Sequence, residues 1–177
     1  MVEHADRDKW LAQDDAALVA SCRVDRHRSS GPGGQHANKT SSAVRLCHGP
    51  TSLIVVAEEE RSQHANKVRA IKRLRMAIAL HIRQPVGDTW ETPDVFRRYV
   101  TKAGRIDVSR KNPDYAQVVA VVLDILAQRR GALRETAEVL SITTSQLSRF
   151  LTNDGKILDA ANAIRHDAGL HALTRRS

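Results

Sequence analysis

Arg28-Ser29-Ser30-Gly31-Pro32-Gly33-Gly34-Gln35-His36-Ala37-Asn38-Lys39 packs three glycines and a proline into four consecutive positions, then follows them with an amide and, a few residues on, a cation. Glycine reaches backbone conformations that strain other residues and lets the main chain approach a ligand closely. Proline fixes one dihedral beside it. The run is therefore neither helix nor strand interior. It reads as a shaped, exposed loop that offers backbone N–H groups and one amide side chain outward. A flexible linker is built from Gly/Ser repeats and needs neither Gln35 nor a basic flank. A Walker loop requires G-x-x-x-x-G-K-[ST] and a dinucleotide loop G-x-G-x-x-G, and the run fits neither.

Working outward, the chain before the loop admits two readings. Asp14 can cap a short helix over 15–20, with a strand through Cys22 and Val24 running into the loop. Alternatively 18–24 is one strand with Leu18, Ala20, Cys22 and Val24 on a single face. Residues 1–13 are polar and are expected to fray. After the loop, 42–48 alternates: Val44, Leu46 and His48 on one face, Ala43, Arg45 and Cys47 on the other, which is a half-buried strand. Gly49-Pro50-Thr51-Ser52 is a turn. Leu53-Ile54-Val55-Val56-Ala57 is a short β-branched strand, expected at the sheet centre. Ser62 starts a helix whose Val68, Ile71, Leu74, Ile78 and Ile82 form one apolar stripe against the sheet.

Pro85 and Gly87 interrupt the pattern, so a first domain over 12–84 and a helical domain over 90–170 are expected. Pro93 opens a helix to about Ala103, with Gly104 as its stop. Asn112-Pro113 starts the next, carrying Val118, Val119, Val122, Ile125 and Leu126 and ended by Gly131. Residues 133–140 and 144–151 read as two helices about a turn at Ser141. The spacing of Ala137, Ser141 and Leu147 resembles a helix-turn-helix, with Ser141 where glycine is usual; an ordinary helical hairpin is the alternative. A closing helix covers 156–168, and Arg175-Arg176 leaves a short basic tail.

The chain of 177 residues is 41% hydrophobic and only 3% aromatic, so its cores are aliphatic. Its net charge of +8 favours a polyanionic partner, nucleic acid before membrane. The charge is clustered: positions 61–83 hold seven Lys/Arg and no Asp or Glu. Two cysteines, Cys22 and Cys47, are too few for a disulfide scaffold or a metal cluster, and read as reduced, part-buried thiols. No apolar run approaches the ~20 residues of a membrane span, and no signal peptide is evident. A cytoplasmic protein is expected.

Arg28 to Gln35, then Asn38-Lys39-Thr40 and Ser42-Ala43-Val44-Arg45-Leu46, resembles the catalytic domain of class I peptide chain release factors. Glu60-Arg61-Ser62-Gln63 followed by Asn66-Lys67 and a basic helix is a second block in the right order. The resemblance covers roughly 24–83; Ala37 stands where that family often has Val. It implies that Gly33, Gly34 and Gln35 are the catalytic residues: Gln35 orients the water that cleaves the peptidyl-tRNA ester, and the two glycines hold the unusual backbone. It implies Gln35 as a candidate for amide N-methylation. It implies, more coarsely, that Arg28, Lys39, Arg61, Lys67, Arg69, Lys72 and Arg73 hold rRNA or tRNA phosphates.

No obvious general base, Ser/His/Asp constellation or metal-ligand spacing emerges from the residues themselves; His27 and His36 are the candidates for a base, although a His in a basic loop more often contacts RNA or serves the structure. Chemistry at this loop would be positioning plus backbone hydrogen bonds, with the partner completing the site. No cofactor and no metal are expected. The fold class expected is α+β: a small mixed sheet with a packed basic helix and the Gly-Gly-Gln loop, followed by a small all-α domain. The activity expected is ribosome-dependent peptidyl-tRNA hydrolysis, codon-independent in rescue of stalled ribosomes, since little chain precedes the catalytic region and no stop-codon tripeptide is recognisable. Its partners would be the rRNA of the peptidyl transferase centre and peptidyl-tRNA, its state a monomer, with no membrane partner. The alternatives are a stop-codon factor working with a separate decoding protein, and a non-catalytic helix-turn-helix nucleic-acid binder. Against the latter, 144–151 carries a single cation, Arg149.

Overall fold

The computed structural model describes residues 6–27, 42–87 and 90–175. The chain divides into two compact units, the first centred on Lys9–Ile78 and the second on everything from Ala79 onward together with Asp6–Asp8.

Within the N-terminal stretch that reads as frayed, residues 7–12 are helical: α1 spans Arg7–Ala12, with Trp10 and Leu11 buried. Trp10 sets its ring edge-on to His48 at 5.1 Å between centroids. α2 spans Asp15–Ala20, and the Asp14 carboxylate accepts from the Ala17 N–H at 2.7 Å, satisfying an otherwise orphan donor of the first turn. That cap decides between the two readings of 15–24: helix first, then strand. β1 is Cys22–His27, β2 Ala43–His48 and β3 Ile54–Ala57. The sheet order is β1-β2-β3 and both pairings are antiparallel. The α+β class is as read, but the sheet is antiparallel rather than mixed.

β2, not β3, is the sheet centre. β3 is an edge strand whose Ile54 and Val56 are 53% and 43% exposed. Its β-branched residues reflect a preference for extended backbone, which does not by itself say whether a strand is flanked on both sides. The alternation in β2 is as read, with Val44, Leu46 and His48 buried on the core face. α3 runs Gln63–His81, and the Ser62 hydroxyl accepts from Ala65 N–H at its start. Of the predicted stripe, Ile71, Leu74 and Ile78 are buried, as is Ile82 just past the helix end, while Val68 is only half-buried; Ala70 and Asn66 are buried beside them.

In the second unit, the helix expected over 93–103 is one turn, α4, Asp94–Arg97. Beyond it Val100 bridges Ile106 antiparallel, and Gly104 at φ +66° sits in the connecting turn. That glycine reverses the chain and does not stop a helix. α5, Tyr115–Gln128, is buried continuously from Val118 to Leu126 and forms the axis of the unit. Gly131 at φ +78° ends it, its N–H donating to Leu126 O at 2.8 Å; a Cβ there would sit 2.8 Å from Arg165 Cγ. α6 is Leu133–Val139 and α7 Thr144–Thr152. Ser141 between them adopts φ +55°, the left-handed conformation usually given to glycine. Asp154 caps α8, Gly155–Asp167.

The C-terminal stretch after α8 is not a free tail as far as it is described. Asn162 exchanges hydrogen bonds with the Leu173 backbone at 2.7 and 3.1 Å, and Arg175 donates to Thr152 O at 3.2 Å. Inside the unit Asp124, 6% exposed, takes Arg7 at 2.6 Å and Arg83 at 3.3 Å, plus the Gln84 N–H at 3.2 Å.

Candidate functional site

The Gly-Gly-Gln run, with Arg28, Gly33, Gly34, Gln35 and Lys39, lies outside the described residues. Its two attachments are described. β1 ends at His27 and β2 begins at Ala43, and these two residues are the last pair of the antiparallel ladder. Segment 28–41 therefore leaves and re-enters the sheet at neighbouring strand ends, on the central strand on one side. A ladder of six residue pairs from Cys22↔His48 to His27↔Ala43 holds both attachments in register.

A third element grips the re-entry point. Asn66, in the first turn of α3, is fully buried. Its Nδ2 donates to Ser42 O and to Glu60 O, both at 2.8 Å, and its Oδ1 accepts from Glu60 N–H at 3.0 Å. Asn66 belongs to the second block quoted above, yet reading the sequence assigned it no role. The signal was present: Asn66, Ala70, Leu74 and Ile78 recur at four-residue spacing, so an amide occupies a place on the apolar face of the helix.

The cations at positions 61–83 divide into four kinds. Arg75 donates to the carbonyls of Leu11 and Gln13 at 2.9 and 2.6 Å and pairs with Asp15 at 2.9 Å, which ties down α1 and α2. Arg83 pairs with Asp124, and burial pushes its guanidinium down to about 10, so it stays charged at neutral pH. Arg69 pairs with Glu60, and Arg73 with Glu59 and the Val56 carbonyl, at the surface. The Arg73 guanidinium, hydrogen-bonded to Glu59, holds that carboxyl below the usual range. Arg61, Lys67 and Lys72 are exposed and carry no ion pair among the described residues. The sequence reading treated the helix as one unbroken cationic face. It overlooked that Glu58-Glu59-Glu60 immediately precedes it and folds back onto part of it.

Two further groups frame the sheet. His48 is 1% exposed, donates or accepts at Thr51 Oγ1 over 2.7 Å through Nδ1, and burial lowers its pKa, so it is a neutral core residue. Cys22 and Cys47 are free and half-buried; burial raises the Cys22 thiol, which favours its protonated form at neutral pH. Among the described residues, no group of three or more His, Cys, Asp or Glu converges as a metal site would require. Among the described residues, no helix is long and apolar enough to cross a membrane.

A family model described as the RF-1 domain matches residues 18–107, which takes in β1, the loop segment, the sheet and all of α3. Peptide chain release factor 1 of Methylibium petroleiphilum is 35% identical over 144 residues, 73% of this chain and 40% of its own length. Peptide chain release factor 1 of Acidiphilium cryptum is 37% identical over 128 residues, 66% of this chain and 36% of its own. In Peptide chain release factor 1 of Xylella fastidiosa, identity rises to 55% over a stretch of 56 residues. The chain spans no more than about two fifths of the length of these relatives, at 36–40% for the two longer matches. A Gly-Gly-Gln run lying in sequence between two paired strand ends, a basic helix that follows them and a match across half the chain lead to one assignment: the chain belongs to the RF-1 domain family, that of the catalytic domain of class I peptide chain release factors.

Proposed function

We propose that this protein hydrolyses the ester between nascent peptide and tRNA on the ribosome, and that it does so without reading a codon, in rescue of stalled complexes. The observation that carries the reading is the family match across 18–107, which contains Gly33-Gly34-Gln35 between two paired strand ends. In this reading the segment enters the peptidyl transferase centre. Gln35 orients the attacking water, and its backbone N–H meets the charge that develops on the ester oxygen. Gln35 is also the candidate for amide N-methylation. Arg61, Lys67 and Lys72, exposed and unpaired, meet phosphates directly. Arg69 and Arg73 do so by exchanging Glu60 and Glu59 for RNA. Arg28 and Lys39 flank the loop and serve the same end. The site of action is the cytoplasm, with the chain acting as a monomer.

Support for rescue over termination is confined to the sequence, where 91–177 offers no recognisable stop-codon tripeptide. The relatives are peptide chain release factors by name, which favours a second reading, termination, for which this chain would work with a separate decoding partner. Both are tested by peptide release from purified ribosomes carrying labelled peptidyl-tRNA, with a stop codon, a sense codon or no mRNA in the decoding site. Release with sense or empty sites that is abolished by Gln35→Ala supports rescue. Release restricted to stop codons, or requiring an added factor, moves the assignment to termination. Absence of release in every arm overturns both.

A further inference from the structure

We infer that Asn66 is the positioning residue for the Gly-Gly-Gln segment, fixing the backbone where that segment rejoins the sheet; the inference rests on the hydrolase reading above. The ladder between β1 and β2 stops at His27↔Ala43. Ser42 lies one residue past it, and its carbonyl is instead taken by Asn66 Nδ2 at 2.8 Å. The same amide nitrogen donates to Glu60 O, and the amide oxygen accepts from Glu60 N–H. One side chain thus joins three pieces of backbone: the exit of the segment, the chain entering the basic helix, and the helix itself.

The chemistry of the position is narrow. Two donors and one acceptor are required within one buried side chain, and only a primary amide supplies that set. Aspartate would aim acceptors at two carbonyls. Serine supplies one donor at most, from a shorter stem. Glutamine carries the same groups one methylene too far. An ordinary helix-start residue on this apolar face would be small or aliphatic, as Ala70 and Leu74 are. A buried amide there serves the backbone it binds, and Ser42 is the part of that backbone continuous with the segment.

Geometry of this kind acts on the chemical step. A displacement of about 1 Å at a reacting group costs on the order of 100-fold in rate. Loss of a positioning contact lowers kcat while leaving substrate affinity in place. The phosphate-facing Lys67 and Lys72 act on the other term, affinity.

The test uses the full chain in the release assay, with Asn66→Asp and Asn66→Ser beside native protein and Gln35→Ala. The expected result is a kcat about 10- to 100-fold lower for both variants, with the ribosome concentration at half-saturation unchanged within about twofold. Asn66→Asp should recover relative to native as pH falls, because a protonated carboxyl regains one donor. In a second arm free of ribosomes, tryptic cleavage after Arg28 and Lys39 should accelerate several-fold in the variants, relative to cleavage after the exposed Arg149. Native kcat in folded variants, with Gln35→Ala inactive, overturns this inference alone. If native protein releases nothing, the hydrolase reading fails, and unchanged cleavage after Arg28 and Lys39 would then overturn the positional claim as well. Failure of both variants to fold also overturns it, since Asn66 would then be a residue of the core and not of the segment.

Discussion

The two units bury polar groups for different ends. In the first, the fully buried Asn66 spends every hydrogen bond of its amide on main chain, at the edge of the segment that carries Gln35. In the second, Asp124 sits at 6% exposure among Arg7 and Arg83, and the three charges close on one another inside the unit. Burial holds the Asp124 carboxyl above its usual range even against two guanidinium groups, a sign that desolvation outweighs the attraction. The first arrangement joins the start of β2 to the chain entering α3. The second anchors an N-terminal helix residue to α5. A buried polar side chain is therefore not one kind of feature, and what it bonds to says which kind it is.

The comparison is broken most sharply by Gln35→Ala. Peptide release should fall about 100-fold or more, the scale for removing a group that acts in the transition state, while the melting temperature stays where it was. Parallel release kinetics and calorimetry check it, and a matched loss of stability would deny the segment its separate role. Next in size is Asp124→Ala, which leaves Arg7 buried without a counter-charge. It should destabilise the protein by about 3–5 kcal/mol, read by urea denaturation, with the kcat of the surviving folded fraction unchanged.

Lys67→Ala combined with Lys72→Ala should raise the half-saturating ribosome concentration several-fold and flatten the salt dependence of binding, the slope falling by about one per lost phosphate contact. Stability should not move, since both side chains are exposed and unpaired. Arg75→Ala, on the same helix, should behave in the opposite way: lower stability, unaltered salt slope. Ribosome co-sedimentation at several salt concentrations separates the two, and similar behaviour would mean that α3 is a single cationic surface after all.

The smallest effect expected concerns His48. Its folded pKa lies below the unfolded value of 6.5 because the ring is buried, so the unfolded chain binds the proton more readily. Stability should be full above that value and decline as pH falls through it. Melting curves between about pH 7.5 and 5.5 should show the decline, and His48→Gln should remove it.

Much of this architecture was legible along the chain. Asp14 as a cap, the alternation from Ala43 to His48, the turn at Gly49–Ser52 and the apolar stripe of Ile71, Leu74, Ile78 and Ile82 are local patterns. Each is set by a few neighbouring residues whose preferences agree. Gly131 as a helix stop and Ser141 as a turn are of the same kind. The misreadings have a common origin in contacts between residues distant in sequence. α1 reads as polar and frayed because nothing nearby indicates that Arg7 will meet Asp124, or that Arg75 will take the carbonyls of Leu11 and Gln13. Gly104 reads as a helix stop because the Val100–Ile106 bridge that places it in a turn is formed by tertiary packing.

The sequence by itself determined the α+β class, the family to which the chain belongs and the presence of a Gly-Gly-Gln segment between two strands. Those follow from residue identity and spacing, which the linear chain carries in full. Tertiary structure alone decided that β2 is central, that Glu59 and Glu60 cover Arg73 and Arg69 while Arg61, Lys67 and Lys72 stay open, and that Asn66 grips Ser42. The reason is that a charge or an amide has no fixed meaning until its partners are chosen. That choice is made when segments far apart in the chain compete for the same few hydrogen bonds.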